Sequence, residues 1–336
     1  MWRRVRNNRQ AQWILVVAML LALCLASLLV GARSVPVSTV AKALLAYDAN
    51  LAEHIVIHDY RLPRTLLALL AGAAFGVSGA LIQATTRNPL ADPGILGVNA
   101  GAAFFVTIAV GVFGLQSIDI YLWFSFLGAI LATLAVYALG VFGQGGGSPV
   151  RLVLGGVAVS AVLGGIGSSL TLFNPRAFDG MRSWSIGSLA GRDIDVAITV
   201  APFILVGLAI ALAIGRSLNA IALGDDLARS VGANVTRTRV MAAIAVTLLA
   251  GAGTAAVGPI GFIGLMIPHV ARWIVGPDQR RIVATTLVLA PSLLLTADII
   301  GRILLHPGEL EAGIVTSFLG APVLIMLSRR RNAGGP

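Results

Sequence analysis

"RNPLADPGILGVNAGA", residues 87–102, is flanked by two of the most apolar stretches of the chain. Yet its sixteen residues hold an Arg, an Asp, two Asn, two Pro and three Gly. Backbone this rich in helix breakers survives inside hydrophobic sequence where water or a protein cavity satisfies its hydrogen bonds, away from lipid. Composition says that lipid is the issue. Of 336 residues, 57% are hydrophobic and 11% charged, and the mean hydropathy is +0.91, which excludes an ordinary water-soluble domain of this length. A bilayer core about 30 Å thick takes roughly 20 apolar residues per helix, and the chain offers such runs repeatedly. It reads as an all-α, polytopic membrane protein, a single transmembrane domain over residues 1–336.

Ten spans are expected: Trp13–Val30, Leu62–Gln83, Ile95–Phe113, Tyr121–Val141, Leu152–Phe173, Val196–Ile214, Val240–Val257, Ile260–Val275, Ile282–Leu304 and Leu310–Leu327. An even number puts both termini on one side. Sixteen of the 24 Lys and Arg fall on that side, including Arg3, Arg9, Arg87, Arg151, Arg237, Arg239 and Arg329 to Arg331. The positive-inside rule therefore makes both termini cytoplasmic, with tails at 1–12 and 328–336. The formal charge of +10 reads as topology, not as affinity for nucleic acid. The basic start and the "GARS" at Gly31 imitate a signal peptide, but an apolar core of about eighteen residues suits a retained span.

Cys24 is the single cysteine, so the sequence holds no disulfide framework and no thiolate metal cage. Thirty-nine glycines, with pairs such as Gly72/Gly76 and Gly97/Gly101, suit close helix contacts in lipid. Spans two to five and seven to ten enter from opposite sides, while "GAAFGVSGAL" from Gly72 and "GPIGFIGLM" from Gly258 are only faintly alike. The sequence permits an inverted repeat without establishing one.

The most informative soluble stretch is "RSLNAIALGDDLARSVGANVTRTR", residues 216–239, on the expected cytoplasmic side. Leu218, Ile221, Ala222 and Leu223 can line a short helix that Gly224 interrupts. Asp225 is expected to cap a second helix, Asp226–Val231, through a backbone N–H near Ala228, and Gly232 to end it. Two short helices about a glycine hinge make a knob suited to a partner's groove. A plain interhelical loop is the blander alternative.

Enzyme chemistry finds little support. A phosphate-cradling GxxxxGK[ST] is absent, and the only lysine, Lys42 in "VAKAL", follows no glycine loop. His54 and His58 are four apart and could share a metal, although a solvated pair on an external loop is the simpler reading. Asp298 is the one ionisable residue inside a span that an ion-coupled secondary transporter could use. Arg302 four residues on makes a structural ion pair the simpler role, and on that reading Asp298→Asn leaves transport largely intact. A channel lacks a charge ring or a repeated filter motif.

"RLPRTLLALLAGAAFGVSGALIQATTRNPLADPGILGVNAGA", "LGDDLARSVGANVTRTR", "VGPIGFIGLMIPHVAR" and "PGELEAGIVTSFLGAPVLIMLSRRR" together resemble the FecCD-type permease family, the membrane subunits of iron-siderophore and cobalamin ABC importers. The likeness runs in order from about residue 10 to residue 331 and is strongest toward ferric enterobactin-type permeases. It implies a ten-helix permease dimer, with a paralogous permease or a second copy as partner. It further implies two cytoplasmic ATPase subunits carrying ATP and magnesium, and an extracytoplasmic binding protein. No cofactor, metal ligand or catalytic residue is implied on this chain, which would sit in a bacterial inner membrane.

The resemblance also assigns residues. Gly224, Asp225, Asp226, Ala228, Arg229 and Gly232 match the ATPase-coupling loop. Arg61, Arg64 and Arg302 match arginines that face acidic residues of the binding protein. Asn88, Pro89 and Leu90 match a cytoplasmic gate. Pro149 and Val150, at the end of "GQGGGSPV", stand at a second gate where some relatives place small hydroxyl residues. Catecholate, hydroxamate, haem and cobalamin permeases share this scaffold, so the cargo stays open at this stage.

Overall fold

The computed structural model describes residues 9–31, 35–115, 118–141, 149–174, 178, 181, 184–305 and 308–332. Its helices are α1 (Arg9–Leu29), α2 (Val37–Leu45), α3 (Ala52–Ile55, continued by a π-turn Val56–Arg61), α4 (Leu62–Thr86), α5 (Val98–Gly111), α6 (Ile118–Val141), α7 (Pro149–Phe173), α8 (Ile194–Ala213), α9 (Gly215–Ala222), α10 (Asp225–Ser230), α11 (Val235–Val257), α12 (Ile263–Val275), α13 (Gln279–Leu304) and α14 (Ala312–Asn332). Among the described residues seven helices are long and apolar enough to span a bilayer, and three shorter apolar helices, in α5, α12 and α14, bring the set to the ten expected segments. The outer helices overrun the expected tails: α1 starts at Arg9 and α14 continues to Asn332.

The centre of the bundle is α4, and small residues are the reason. It packs on α13, α11 and α12, and its glycines mark the closest approaches. A Cβ on Gly72 would meet the backbone of Pro291, one on Gly76 would meet Ala290 and Thr286, and one on Gly79 would overlap the backbone of Gly264. Without a hydrophobic drive between helices in lipid, such backbone proximity supplies the van der Waals attraction. Thus the two faintly similar stretches, from Gly72 and from Gly258, touch one another at Gly79 and Gly264. By contrast α1 leaves Ile14, Leu15 and Leu21 exposed, and α7 leaves Leu154, Val157 and Phe173 exposed.

The short helices are short because irregular backbone precedes them within the bundle. At about 1.5 Å per residue the fourteen residues of α5 reach only about 21 Å. Ahead of it, Asp92 accepts the Gly94 N–H at 2.8 Å and starts a 3-10 turn, Pro93–Leu96. Ile95 and Leu96, expected as the start of the third span, belong to that turn, and the helix begins at Val98 after Gly97 at φ 74°. Ahead of α12, Gly258 and Phe262 take φ 75° and 68°. Both irregular segments lie against α4: Cβ at Gly264 would meet the Phe75 carbonyl and Pro93. Non-helical backbone is tolerated there because it is enclosed by protein rather than lipid.

Candidate functional site

Three features at different levels of the bundle make up the candidate transport machinery: a knob, a gate loop beside it, and an arginine cluster at the opposite end of α4. A cavity lies along α5 and α7.

The knob is α9 and α10. In α9 the buried Leu218 and Ile221 face the bundle, while Leu223 points outward. Gly224, at φ 105°, turns the chain, a conformation that costs a side chain but not glycine. Here the expectation for Asp225 is corrected. It is the first residue of α10 and makes no cap, because its carboxylate is drawn away. Arg239 Nη2 donates to Asp225 Oδ1 at 3.0 Å, Arg239 Nη1 lies 2.9 Å from Oδ2, and Arg87 Nη2 lies 3.6 Å from Oδ1. Helix α10 ends one residue earlier than expected, at Ser230, and Gly232 follows at φ 83°. Ala228, assigned to the coupling surface, is fully buried against Ile221 and Val235 and seats α10 instead. Asp226 and Arg229 are exposed and 3.4 Å apart. Around them Leu223, Leu227 and Val231 present apolar side chains to the outside.

A second tether was not legible in the sequence. Asn219 of α9 donates through Nδ2 to Asp278 Oδ1 at 2.8 Å, and its Oδ1 accepts the Gln279 N–H at 2.7 Å. The Asn219 amide, helped by the Arg280 N–H and the Arg280 and Arg281 charges, holds the Asp278 carboxyl below the usual carboxylate range. The knob is therefore fastened to the first turn of α13 as well as to α11. An Asp just before a basic helix start is the one clue the sequence held.

The gate loop begins where α4 stops. Arg87 takes the left-handed conformation, φ 53° and ψ 28°, at the C-cap of α4. Asn88 Oδ1 then accepts the Leu90 N–H at 3.0 Å, and the Ala91 N–H reaches the Asn88 carbonyl at 3.1 Å. Asn88 is exposed and Pro89 and Leu90 half-buried, a compact turn at the helix end. At the second expected gate, Pro149 and Val150 begin α7, and their side chains lie outside the described residues.

At the other end of α4, Arg61, Arg64 and Arg302 do not form an open cationic face. Arg64 Nε donates to Asp298 Oδ1 at 2.8 Å, and its Nη1 donates to Glu309 Oε2 at 2.6 Å. Arg302 is ion-paired with the same Asp298 and donates to the Ser27 carbonyl at 2.8 Å. Arg61 Nη1 donates to the Leu28 carbonyl at 2.7 Å. Asp298 is 1% exposed and Arg302 3%, so α1, α4 and α13 are stapled together by buried charge. The expected Asp298–Arg302 pair is present, but Arg64 and Glu309 are partners that no local spacing announces. The nearby histidines differ from each other: His58 is exposed and 3.0 Å from Asp59, whereas His54 is buried and accepts the Asp48 N–H. The expected solvated pair is thus split, and among the described residues no cluster of three metal-ligating side chains occurs.

Between α5 and the C-terminal half of α7 lies a cavity of about 560 Å³, lined among others by Phe104, Thr107, Gly164, Ser168, Thr171 and Met181. Cβ atoms added at Gly164 and Gly165 would meet nothing within 4 Å. Among the described residues the lining offers hydroxyls and apolar surface without a charged group. Such a wall suits a cargo whose charge is wrapped in its own ligand.

The comparisons with known proteins agree with this arrangement. The FecCD transport family matches residues 19–330. The FepD permease protein of the ferric enterobactin transport system of Escherichia coli K12 is 48% identical over 325 residues, covering 96% of this chain and 97% of that one. The FhuB permease protein of the iron(3+)-hydroxamate import system of Bacillus subtilis 168 is 40% identical, covering 96% of this chain and 84% of that one. A solved metal-chelate type ABC transporter in an inward-facing conformation superposes with a TM-score of 0.83 at 26% identity, covering 94% of this chain and 97% of the other. With matched length and this identity over nearly the whole chain, the protein belongs to the FecCD transport family of ABC importer permeases.

Proposed function

We propose that this chain forms one half of the membrane channel through which an ATP-driven importer brings a ferric siderophore of the catecholate type into the cytoplasm. The observation that carries the ATP-driven part is the knob. A segment too short to span leaves Leu223, Leu227 and Val231 outward while hydrogen bonds fix it to α11 and α13. Exposed apolar residues on a held platform fit the groove of a partner. On this reading the knob faces the cytoplasm, where ATPase subunits dock, and both termini lie on that side of the inner membrane. The catecholate cargo is supported by the likeness to the ferric enterobactin permease. The hydroxyl and apolar side chains that line the cavity among the described residues support a wrapped chelate over a bare ion.

A second permease, a paralogue rather than a second copy, completes the cavity from the open side of α5 and α7. A binding protein docks at the end where Arg64 and Glu309 meet. Arg64 and Glu309 keep side-chain exposure there, so of the three docking arginines Arg64 is the one within a partner's reach, and Arg61 and Arg302 support it from inside. The ion-coupled alternative loses its residue, since Asp298 is neutralised by two arginines. The test is to co-express the chain with its partners, reconstitute the complex in liposomes, and measure ATP hydrolysis with binding protein and each ferric chelate. Stimulation by a ferric catecholate above hydroxamate, haem and cobalamin is expected. Stimulation by cobalamin or haem alone overturns the cargo, and uptake driven by an ion gradient without ATP overturns the class.

A further inference from the structure

We infer that Arg87 and Asp225 form the link through which movement of the knob reaches the gate loop at Asn88–Leu90, with Arg239 as the fixed anchor of that link. The inference rests on the reading that the knob docks the ATPase. Helix α10 meets two cations through one carboxylate. Toward α11 the contact is double and short, with Arg239 on both Asp225 oxygens at 3.0 and 2.9 Å. Toward the gate loop it is single and longer, with Arg87 at 3.6 Å. Arg239 sits in the first turns of a helix that Asn234 caps through the Arg237 N–H and that is largely buried. Arg87 immediately precedes the turn made by Asn88, so a pull on its guanidinium acts on that turn through a single residue. Arg87 Nη1 also lies beside Gly224, 3.5 Å from where a Cβ there would stand, so the hinge and the gate loop are neighbours.

A short bidentate pair holds geometry better than a single longer one. The knob thus turns about Arg239 and carries Arg87 with it. This makes Arg87 a positioning residue for the exit gate.

The competing explanation is that Arg87 merely caps α4. Glycine takes the left-handed conformation without steric cost, which separates the two. In liposomes holding the whole complex, Arg87→Gln is expected to lower substrate moved per ATP by about fivefold or more, with subunit assembly and basal hydrolysis unchanged. Arg87→Gly is expected to fail equally and Arg87→Lys to recover most of the coupling. The double variant Arg87→Gln/Asp225→Asn is expected to be no worse than Asp225→Asn alone, as two ends of one link require. Wild-type coupling in Arg87→Gln, normal coupling in Arg87→Gly, or additive losses in the double variant each overturn the link. A photo-crosslinker at Leu227 reads the docking separately. Capture of the ATPase with coupling indifferent to Arg87 removes the link alone, and no capture removes the docking reading together with the link.

Discussion

The two ends of α4 both carry arginines matched to aspartates, and they are built for different purposes. At the Leu62 end, Asp298 is closed off between Arg64 and Arg302, and Arg302 in turn donates to the backbone of α1. At the Thr86 end, the side chains of Arg87, Asp225 and Arg239 are 43%, 27% and 22% exposed. Charge that is desolvated has no alternative partner when a contact breaks, so the first cluster fixes three helices in place. Charge that keeps water can part and re-form at little cost. The difference separates a staple from a joint, and it predicts opposite responses to substitution.

The largest effect is expected at the staple. Removing the Asp298 carboxylate leaves the buried Arg302 with only neutral acceptors and Arg64 with Glu309 alone, and breaking a buried pair costs about 3–5 kcal/mol. Asp298→Ala should therefore abolish or sharply reduce recoverable folded protein in size-exclusion profiles from mild detergent. Asp298→Asn should behave nearly as badly, which revises the tolerance expected when Arg302 was the only partner in view. Normal yield and melting for Asp298→Asn would show that the cluster is no staple.

Next is the α4–α12 crossing, which joins the two ends mechanically. Gly79→Val forces a side chain into the Gly264 backbone, and overpacking of this kind costs about 1–3 kcal/mol or more. Thermal unfolding of the purified complex should shift down by several degrees, and an unshifted curve would mean that the helices separate freely there.

At the joint the stability effect is expected to be smaller. Arg87→Gln removes a half-exposed pair worth about 0–1 kcal/mol, so its melting curve should overlay the wild type while transport coupling falls. A large loss of stability would erase the contrast between the two ends. The smallest effect concerns Asp278, whose carboxyl is held low by Asn219. A group with a depressed folded pKa stabilises above its unfolded value, and that contribution is lost as pH falls through the folded one. Below about pH 4 the wild type should lose melting temperature more steeply than Asn219→Ala, in which the largest cause of the depression is gone. Parallel acid profiles would remove Asp278 from the account.

Much of this was readable along the chain. All ten apolar segments came from hydropathy alone, since a run long enough to cross a bilayer is a property of consecutive residues. The knob was readable too, because Gly224 and Gly232 punctuate a half-apolar stretch. The details of Asp225 were misread: local rules favour an N-cap, and two arginines from other helices outcompete the backbone amide. Ala228 was misplaced for a related reason, as one face of a six-residue helix cannot be oriented until its floor, Ile221 and Val235, is known.

The sequence by itself determined the membrane class, the number of segments and the positions of the breaks, because these depend on local hydrophobicity and on backbone constraints at Gly and Pro. Only the tertiary structure decided which charges meet. Arg64 finds Asp298 from 234 positions away, and Arg87 finds Asp225 across the whole stretch from α5 to α9. Such pairings follow from how the helices pack about the glycines of α4, and electrostatic energy depends on distance in space rather than along the chain.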